Sequence, residues 1–211
     1  MIKLDINQKA FGDLVLFENT NIEIDKGDFI GIKGLSGSGK TTLVKMIGFL
    51  EPFIGEYLIN GNVVNKKNES EELRRKYVTY VFQSPHLIPY ETVMNNIIMP
   101  LKNLKEPINY EEIYMYAQNL GINEILKKEV QLLSGGEQQR VAILRALLTK
   151  RPIILADEPT GNLDFENKTN VMTLLRNINI TYNRTIVMVT HDDKLDHYFN
   201  KTFTIKEKQI I

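Results

Sequence analysis

The chain has no cysteine. This excludes disulfides, thiolate metal sites and a cysteine nucleophile, and it accords with a reducing, cytosolic setting. There is no surplus of charge either. Lys+Arg and Asp+Glu each total 26, so the net charge is zero. Bulk electrostatics therefore give no reason to expect a nucleic-acid partner or direct binding to a membrane surface, and only a local patch is left open. The opening segment MIKLDINQKAFGD lacks the apolar stretch of a signal peptide. No apolar run reaches the ~18 residues a membrane span needs, so any work at a membrane requires a separate anchor. Internal repeats and low-complexity tails are also missing.

What is present suits a globular chain. Over 211 residues, 43% are hydrophobic and 25% charged, enough to bury a sizeable core. The segments IKLDI, VLF and NIEI alternate apolar and polar residues, the period of half-buried strands. The apolar run FIGIK leads into a glycine-rich loop. TTLVKMIGFL then places Leu43, Met46, Ile47 and Leu50 on one helical face, with Pro52 expected to stop the helix. Asn60-Gly61 between two apolar pieces predicts a hairpin. KKNESEELRRK, Lys66–Lys76, reads as a solvated loop and helix start. From about Pro85 the texture becomes helical, and YEEIYMYAQNLGINEILKKE reads as helix. From Ile153 the strand and helix alternation returns, through IILADE, NVMTLLRNI and TIVMVTH, to a final hairpin in TFTIKEKQII.

Three motifs carry chemistry. In GLSGSGKTT, the spacing Gly34-x-x-x-x-Gly39-Lys40-Thr41 fits a phosphate-binding loop. Its glycines let backbone N–H groups point inward at phosphate oxygens, and the helix that follows adds its positive end. Lys40 supplies a mobile charge for the β- and γ-phosphates, and the Thr41 hydroxyl can ligate Mg²⁺. IILADE is a buried strand that ends in two acids at the carboxyl edge of the sheet, where such folds bind ligands. Asp157 would hold Mg²⁺ through water, and Glu158 would orient and deprotonate the attacking water. Taken alone, a strand ending in two acids is an ordinary solvated turn; the phosphate loop gives it meaning. In LSGGEQQR, Ser134, Gly135 and Gly136 make a second anion-friendly helix N-terminus. A serine cap with Glu137 at the third helical position accounts for part of this motif. One nucleotide does not need two such sites on one chain, so the economical explanation is a pair of chains, each offering this face to the other's nucleotide.

With these motifs in this order, the sequence resembles the ATP-binding cassette (ABC) ATPases over essentially its full length. GLSGSGKTT resembles their Walker A, covering Gly34, Leu35, Ser36, Gly37, Ser38, Gly39, Lys40, Thr41 and Thr42. LSGGEQQR resembles the signature, with Gln138 among its nucleotide contacts, and IILADE resembles Walker B. By the same resemblance Gln83 is the Q-loop glutamine, which reaches the metal and the water, Asp164 the D-loop aspartate and His191 the switch histidine. Phe11 stands where the family places an adenine-stacking aromatic. ADEPTGNLD and FQSPHLIPYETVMNNIIMPL are similar to the stand-alone ATPase subunits of the macrolide-export and lipoprotein-release group, which includes the cell-division ATPase partner of an FtsX-type permease and several peptide exporters. Departures from the family pattern fall at Phe11, Val130, Leu132 and Lys208, none of them in the phosphate chemistry.

The resemblance implies an α/β P-loop NTPase of ABC type, with an N-terminal antiparallel β subdomain and an inserted helical subdomain. The core with its β subdomain would cover about residues 1–84 and 141–211, and the helical subdomain about 85–140. It also implies ATP and Mg²⁺ as cofactors, an ATP-sandwiched homodimer, and an integral membrane permease that holds the ATPase at the inner face of the cell membrane. Part of the region of Met94, Ile97, Ile98, Met99 and Leu101 is a candidate groove for that permease, and the rest is helix packing. Two alternatives stay open at this point. One is a soluble ABC ATPase of DNA repair or iron–sulfur assembly; the span of about 90 residues between Walker A and signature is too short for the long coiled coil of repair forms. The other is a transporter-like ATPase that signals to a cell-wall hydrolase.

Overall fold

A long hairpin, β1 (Ile2–Phe11) and β2 (Leu14–Ile24), turns at Gly12 and Asp13. The computed structural model describes residues 2–64 and 67–211. The sequence segments VLF and NIEI are parts of the single strand β2, interrupted in pattern at Asn19, whose backbone is left-handed. β1 also pairs with β4 (Ile54–Ile59), which turns at Asn60-Gly61 into β5 (Asn62–Val63). The result is an antiparallel sheet in the order β2-β1-β4-β5.

The second sheet has six strands in the order β10-β9-β3-β8-β7-β6. β3 (Phe29–Gly34), β6 (Val78–Val81), β7 (Ile153–Asp157), β8 (Thr185–Val189) and β9 (Lys201–Lys206) run parallel, and β10 (Gln209–Ile210) returns antiparallel along β9. The central strands are apolar without alternation because both faces are covered. Ile154, Ala156, Ile186 and Met188 face a core built with the helices α3 to α6, while Ile153, Leu155, Val187 and Val189 face α1 and the antiparallel sheet. The sheets are stitched where the Ile210 N–H donates to Thr20 Oγ1 and Gln209 Nε2 donates to the Glu18 carbonyl.

Helix α1 (Lys40–Ile47) follows the glycine loop and buries Leu43, Met46 and Ile47. It ends at Gly48, before the expected stop at Pro52, and leaves Leu50 exposed beyond its end. Glycine is a common helix stop, and packing also demands it here. A Cβ at Gly48 would lie 1.4 Å from the Tyr80 hydroxyl, so β6 closes over the backbone there. α2 (Lys67–Tyr77) is the polar helix whose start the sequence suggested; Lys66 itself lies outside the described residues.

The helical insertion contains α3 (Val93–Asn103), α4 (Tyr110–Asn119) and the start of α5 (Gly135–Leu148). Thr92 and Asn109 cap α3 and α4 with their side-chain oxygens. The helical reading of YEEIYMYAQNLGINEILKKE holds only for its first half. Gly121, with φ 62°, breaks the helix, and Asn123–Ile125 forms one 3₁₀ turn. Residue 140, the expected edge of the helical subdomain, sits inside the unbroken helix α5, which carries the insertion into the core. Ile97, Ile98 and Leu101 are buried in that core, and Met94 packs half-buried against it. α6 (Phe165–Tyr182) completes the layer.

Candidate active site

Strand order assembles the site. β3, β8, β7 and β6 are consecutive neighbours, and their carboxyl ends lead into the phosphate loop, His191, Asp157 with Glu158, and Gln83. Parallel strands lie ~4.8 Å apart, so four motifs scattered across the sequence share an edge on the order of 15 Å long.

The phosphate loop is shaped by backbone that only glycine tolerates. Gly34 has φ 148°, and a Cβ there would lie 2.7 Å from Ser38 Oγ and 2.9 Å from the Ile205 carbonyl. Gly39, the residue before α1, has φ 103° and sits against the Phe17 ring. Lys40 Nζ donates to the carbonyls of Gly34 at 2.9 Å and Leu35 at 2.8 Å, so the ammonium bridges its own loop. The Ser38 hydroxyl is buried with no partner inside this cradle. The Thr41 hydroxyl hydrogen-bonds the Asp157 carboxylate. Burial pushes the Asp157 carboxyl above its ordinary range despite that bond, with repulsion from Glu158 acting in the same direction. A half-buried carboxylate beside a hydroxyl is a donor set that fits a hard cation, with Lys40 and Lys45 close enough to act on the same carboxylate.

Glu158 follows Asp157 with φ 47°, an uncommon conformation for a non-glycine residue. Two backbone bonds hold it there: the Glu158 N–H donates to the Val189 carbonyl at 3.1 Å, and the Gly161 N–H donates to the Glu158 carbonyl at 3.2 Å. The turn presents the carboxylate toward His191, whose Nδ1 lies 3.3 Å from Glu158 Oε1. His191 is itself largely exposed. The Glu158 carboxylate and the His191 ring are therefore in direct contact at the carboxyl edge of the sheet.

Sequence reading missed the groups that hold these loops. Lys168 on α6 pairs with Asp192 at 2.9 Å, and Lys33 on β3 pairs with Asp193 at 2.6 Å and with Asp196 at 2.7 Å. Two lysines from different elements thus grip the segment after His191. Gln139 Nε2 donates to the Phe82 carbonyl at 3.1 Å, and the two terminal nitrogens of Arg145 donate to the Pro85 and His86 carbonyls, each at 2.8 Å. Helix α5 therefore fixes the backbone on both sides of Gln83, whose side chain is exposed. One of these was legible: Gln139 sits one turn before Ile143, on an otherwise apolar stripe of α5, and a buried amide needs a partner.

The signature residues close on themselves. The Ser134 side chain accepts from the Glu137 N–H at 3.3 Å and donates to Glu137 Oε2 at 2.7 Å; the same oxygen accepts from the Ser134 N–H at 2.8 Å. These bonds hold the Glu137 carboxyl below its usual range. Gln138 Nε2 donates to the Leu133 carbonyl. Gly135 is open to its surroundings, and Gly136 lies against Leu163 and Asn162. Asp164 caps α6, accepting from the Asn167 N–H at 2.8 Å. The capping reading of Ser134 is thus correct within the chain, and it leaves the Gly135 side open. Phe11 stands at the end of β1, 49% exposed.

A phosphate loop, an acid pair and a histidine on adjacent strands agree with the family profile for ABC transporters, which matches residues 17–161. The chain belongs to the ABC transporter family. It is an ATP-binding cassette ATPase. Among its relatives is the lipoprotein-releasing system ATP-binding protein LolD of Francisella tularensis, 38% identical over 210 residues, covering 94% of this chain and 88% of that protein. Another is the putative hemin import ATP-binding protein HrtA of Staphylococcus haemolyticus, 36% identical, covering 96% and 95%. The dimeric bacterial ABC transporter cassette MJ0796 superposes with a TM-score of 0.89 at 32% identity, over 100% of this chain and 96% of that one. The same cassette in a post-hydrolysis state, bound to ADP and Pi, gives 0.87 at 33% identity. CbiO1 of Clostridium perfringens, part of the cbiONQ transporter complex, gives 0.87 at 26% identity, over 100% and 86%. No helix of the described residues is long and apolar enough to cross a membrane.

Proposed function

We propose that two copies of this ABC ATPase close head to tail on two ATP molecules and drive a separate, FtsX-like permease in export or mechanical release. The observation that carries this reading is the split state of the chemistry. Walker A, Walker B and the switch histidine share one sheet edge, while Ser134 and Asp164 are tied only into their own helix starts. A second chain supplies the missing anion donors economically, as a dimeric relative also suggests.

In this reading Lys40 leaves the Gly34 and Leu35 carbonyls for the β- and γ-phosphates. The N–H groups at the start of α1 receive the phosphate oxygens. Glu158 takes a proton from the attacking water, and His191 orients the γ-phosphate. Ser134, Gly135, Gly136 and Gln138 of one copy meet the γ-phosphate held by the other. Mg²⁺ would be held by Thr41, by Asp157 through water and by Gln83, and would neutralise charge on the phosphates. The γ-phosphate is the part both copies share, so its loss releases the dimer. The relatives named for lipoprotein release and hemin import point to an amphiphilic cargo. The protein then works at the inner face of the cell membrane, held there by its permease.

The test is co-purification. Tagged Glu158→Gln protein isolated from detergent-solubilised membranes with ATP should bring down one integral membrane protein of permease type. Recovery in the soluble fraction with a cytosolic assembly instead would overturn the reading.

A further inference from the structure

We propose that Lys9 is a positioning residue for the nucleotide base: it grips Phe11 from one face and leaves the other for a purine to stack on. The inference rests on the ATPase reading above. Lys9 is only 6% exposed, which is rare for lysine. Its ammonium has three donors and three partners. It donates to Glu51 Oε1 at 2.6 Å and to the Pro52 carbonyl at 2.7 Å, and it sits 4.4 Å from the centroid of the Phe11 ring. A fully engaged ammonium is not free to bind phosphate. Its contribution to the site is therefore made through the ring it touches.

Placement supports this. Lys9 lies opposite Phe17 across the β1–β2 hairpin, and Phe17 is the ring against which Gly39 of the phosphate loop packs. Phe11 stands two residues farther along β1, on the same side of the strand, roughly 7 Å on. The irregularity in the hairpin leaves Leu16 on β2 without a partner, so the alternation of β1 is preserved. Glu51 and Pro52 come from the segment after α1, so Lys9 also ties the exit of the phosphate-loop helix to the strand that ends in Phe11.

Two physical effects follow. The cation withdraws electron density from the ring, which strengthens stacking of an electron-rich purine on the opposite face. It also holds the ring in place, so less side-chain freedom is lost when a base arrives. Both effects act on the base alone. Lys9 should therefore matter for ATP and ADP and be silent for a ligand that is only phosphate.

Isothermal titration of the full chain with ATP and with inorganic tripolyphosphate tests this. Lys9→Gln keeps hydrogen-bonding atoms and removes the charge. It should weaken ATP about threefold to tenfold and leave tripolyphosphate unchanged. Phe11→Ala should show the same selectivity with a larger loss, and the double variant should be no worse than Phe11→Ala. Lys9→Arg should restore the preference for ATP. Equal losses for both ligands in Lys9→Gln would make Lys9 a purely structural anchor and overturn the proposal. A selective loss in Phe11→Ala with none in Lys9→Gln would keep the platform and overturn the role of Lys9. No effect of Phe11→Ala would remove the platform and Lys9 with it. Wild-type protein binding neither ligand would instead sink the ATPase reading. Should Lys9→Gln fail to fold, Phe11→Trp gives an independent measurement, because the chain has no other tryptophan. With Lys9→Arg as the second change, its emission should respond to ATP and not to tripolyphosphate; a response to neither would overturn the proposal.

Discussion

The Lys168 ammonium donates to the Asp192 carboxylate at 2.9 Å, tying the first turn of α6 to the residue after His191. Asp164 caps that same turn, so the segments carrying Asp164 and His191 share one brace. Lys168→Met should lower ATP turnover severalfold and leave equilibrium ATP affinity unchanged, since both residues lie outside the phosphate loop and bond to each other. Stopped-time phosphate release beside nucleotide titration separates the two. The pair also gives a pH signature. The lysine holds the Asp192 carboxyl below its ordinary value. Its stabilisation is therefore complete above about pH 4 and lost as pH falls through the lowered value. Lys168→Met should flatten that acid limb in denaturant melts; an identical acid limb would argue against the brace.

Glu158→Gln should keep ATP binding and reduce hydrolysis about a hundredfold or more. The amide preserves shape and the contact with His191 but cannot accept the proton of water. The ATP-bound dimer should then accumulate and elute early in size-exclusion chromatography with ATP. Near-normal turnover would remove Glu158 from the role of base.

Lys40→Ala should instead lose nucleotide affinity, because it deletes a charge that meets the phosphates in the ground state. Of its present partners, the Leu35 carbonyl is exposed and the Gly34 carbonyl only part-buried, so water can replace the ammonium and the fold should persist. Titration with a labelled ATP analogue reads this directly, and unchanged affinity would count against the phosphate loop.

Ser134→Arg should leave ATP binding by the single chain nearly intact and block the ATP-driven dimer, with turnover lost. A bulky cation would replace a small donor where the other copy's γ-phosphate arrives. The lost cap costs about 1 kcal/mol, which a thermal melt should show as a modest shift. Mixing this variant with Lys40→Ala chains pairs one intact Walker A with one intact signature and should return a fraction of the activity. A Ser134→Arg protein that dimerises and hydrolyses normally would defeat the shared-site mechanism.

Asp157→Asn should raise the thermal midpoint of the nucleotide-free protein while weakening metal-dependent ATP binding. Burial holds the Asp157 carboxyl above its ordinary value, so the native state binds that proton more tightly than the unfolded chain. Stability from this group therefore increases as pH falls through the raised value, and at neutral pH the ionised form is a net cost. The amide removes the charge and can still accept from Thr41. A lower midpoint would show that the Thr41 contact outweighs the burial.

The phosphate loop, the acid pair and the signature were legible in sequence because each is a local device. The backbone at Gly34 and Gly39 excludes side chains whatever surrounds it, and Ser134 with Glu137 closes a cap within four residues. Strand character in β3, β7 and β8 was equally plain, since strands covered on both faces read as continuous apolar runs. The end of α1 was misplaced: the helix stops at its C-cap Gly48, before Pro52, at a position where Tyr80 leaves no room for a side chain.

What only the tertiary structure decided is which distant groups meet. Gln139 reaches Phe82 across 57 positions and Lys33 reaches Asp193 across 160. Lys9 finds Glu51 and Pro52 because β4 folds back beside β1. The order β3-β8-β7-β6 sets the phosphate loop, His191, the Asp157–Glu158 pair and Gln83 side by side. No window of sequence encodes that order. It follows from how the apolar faces of these strands and helices can all be buried at once, and that is a property of the whole chain.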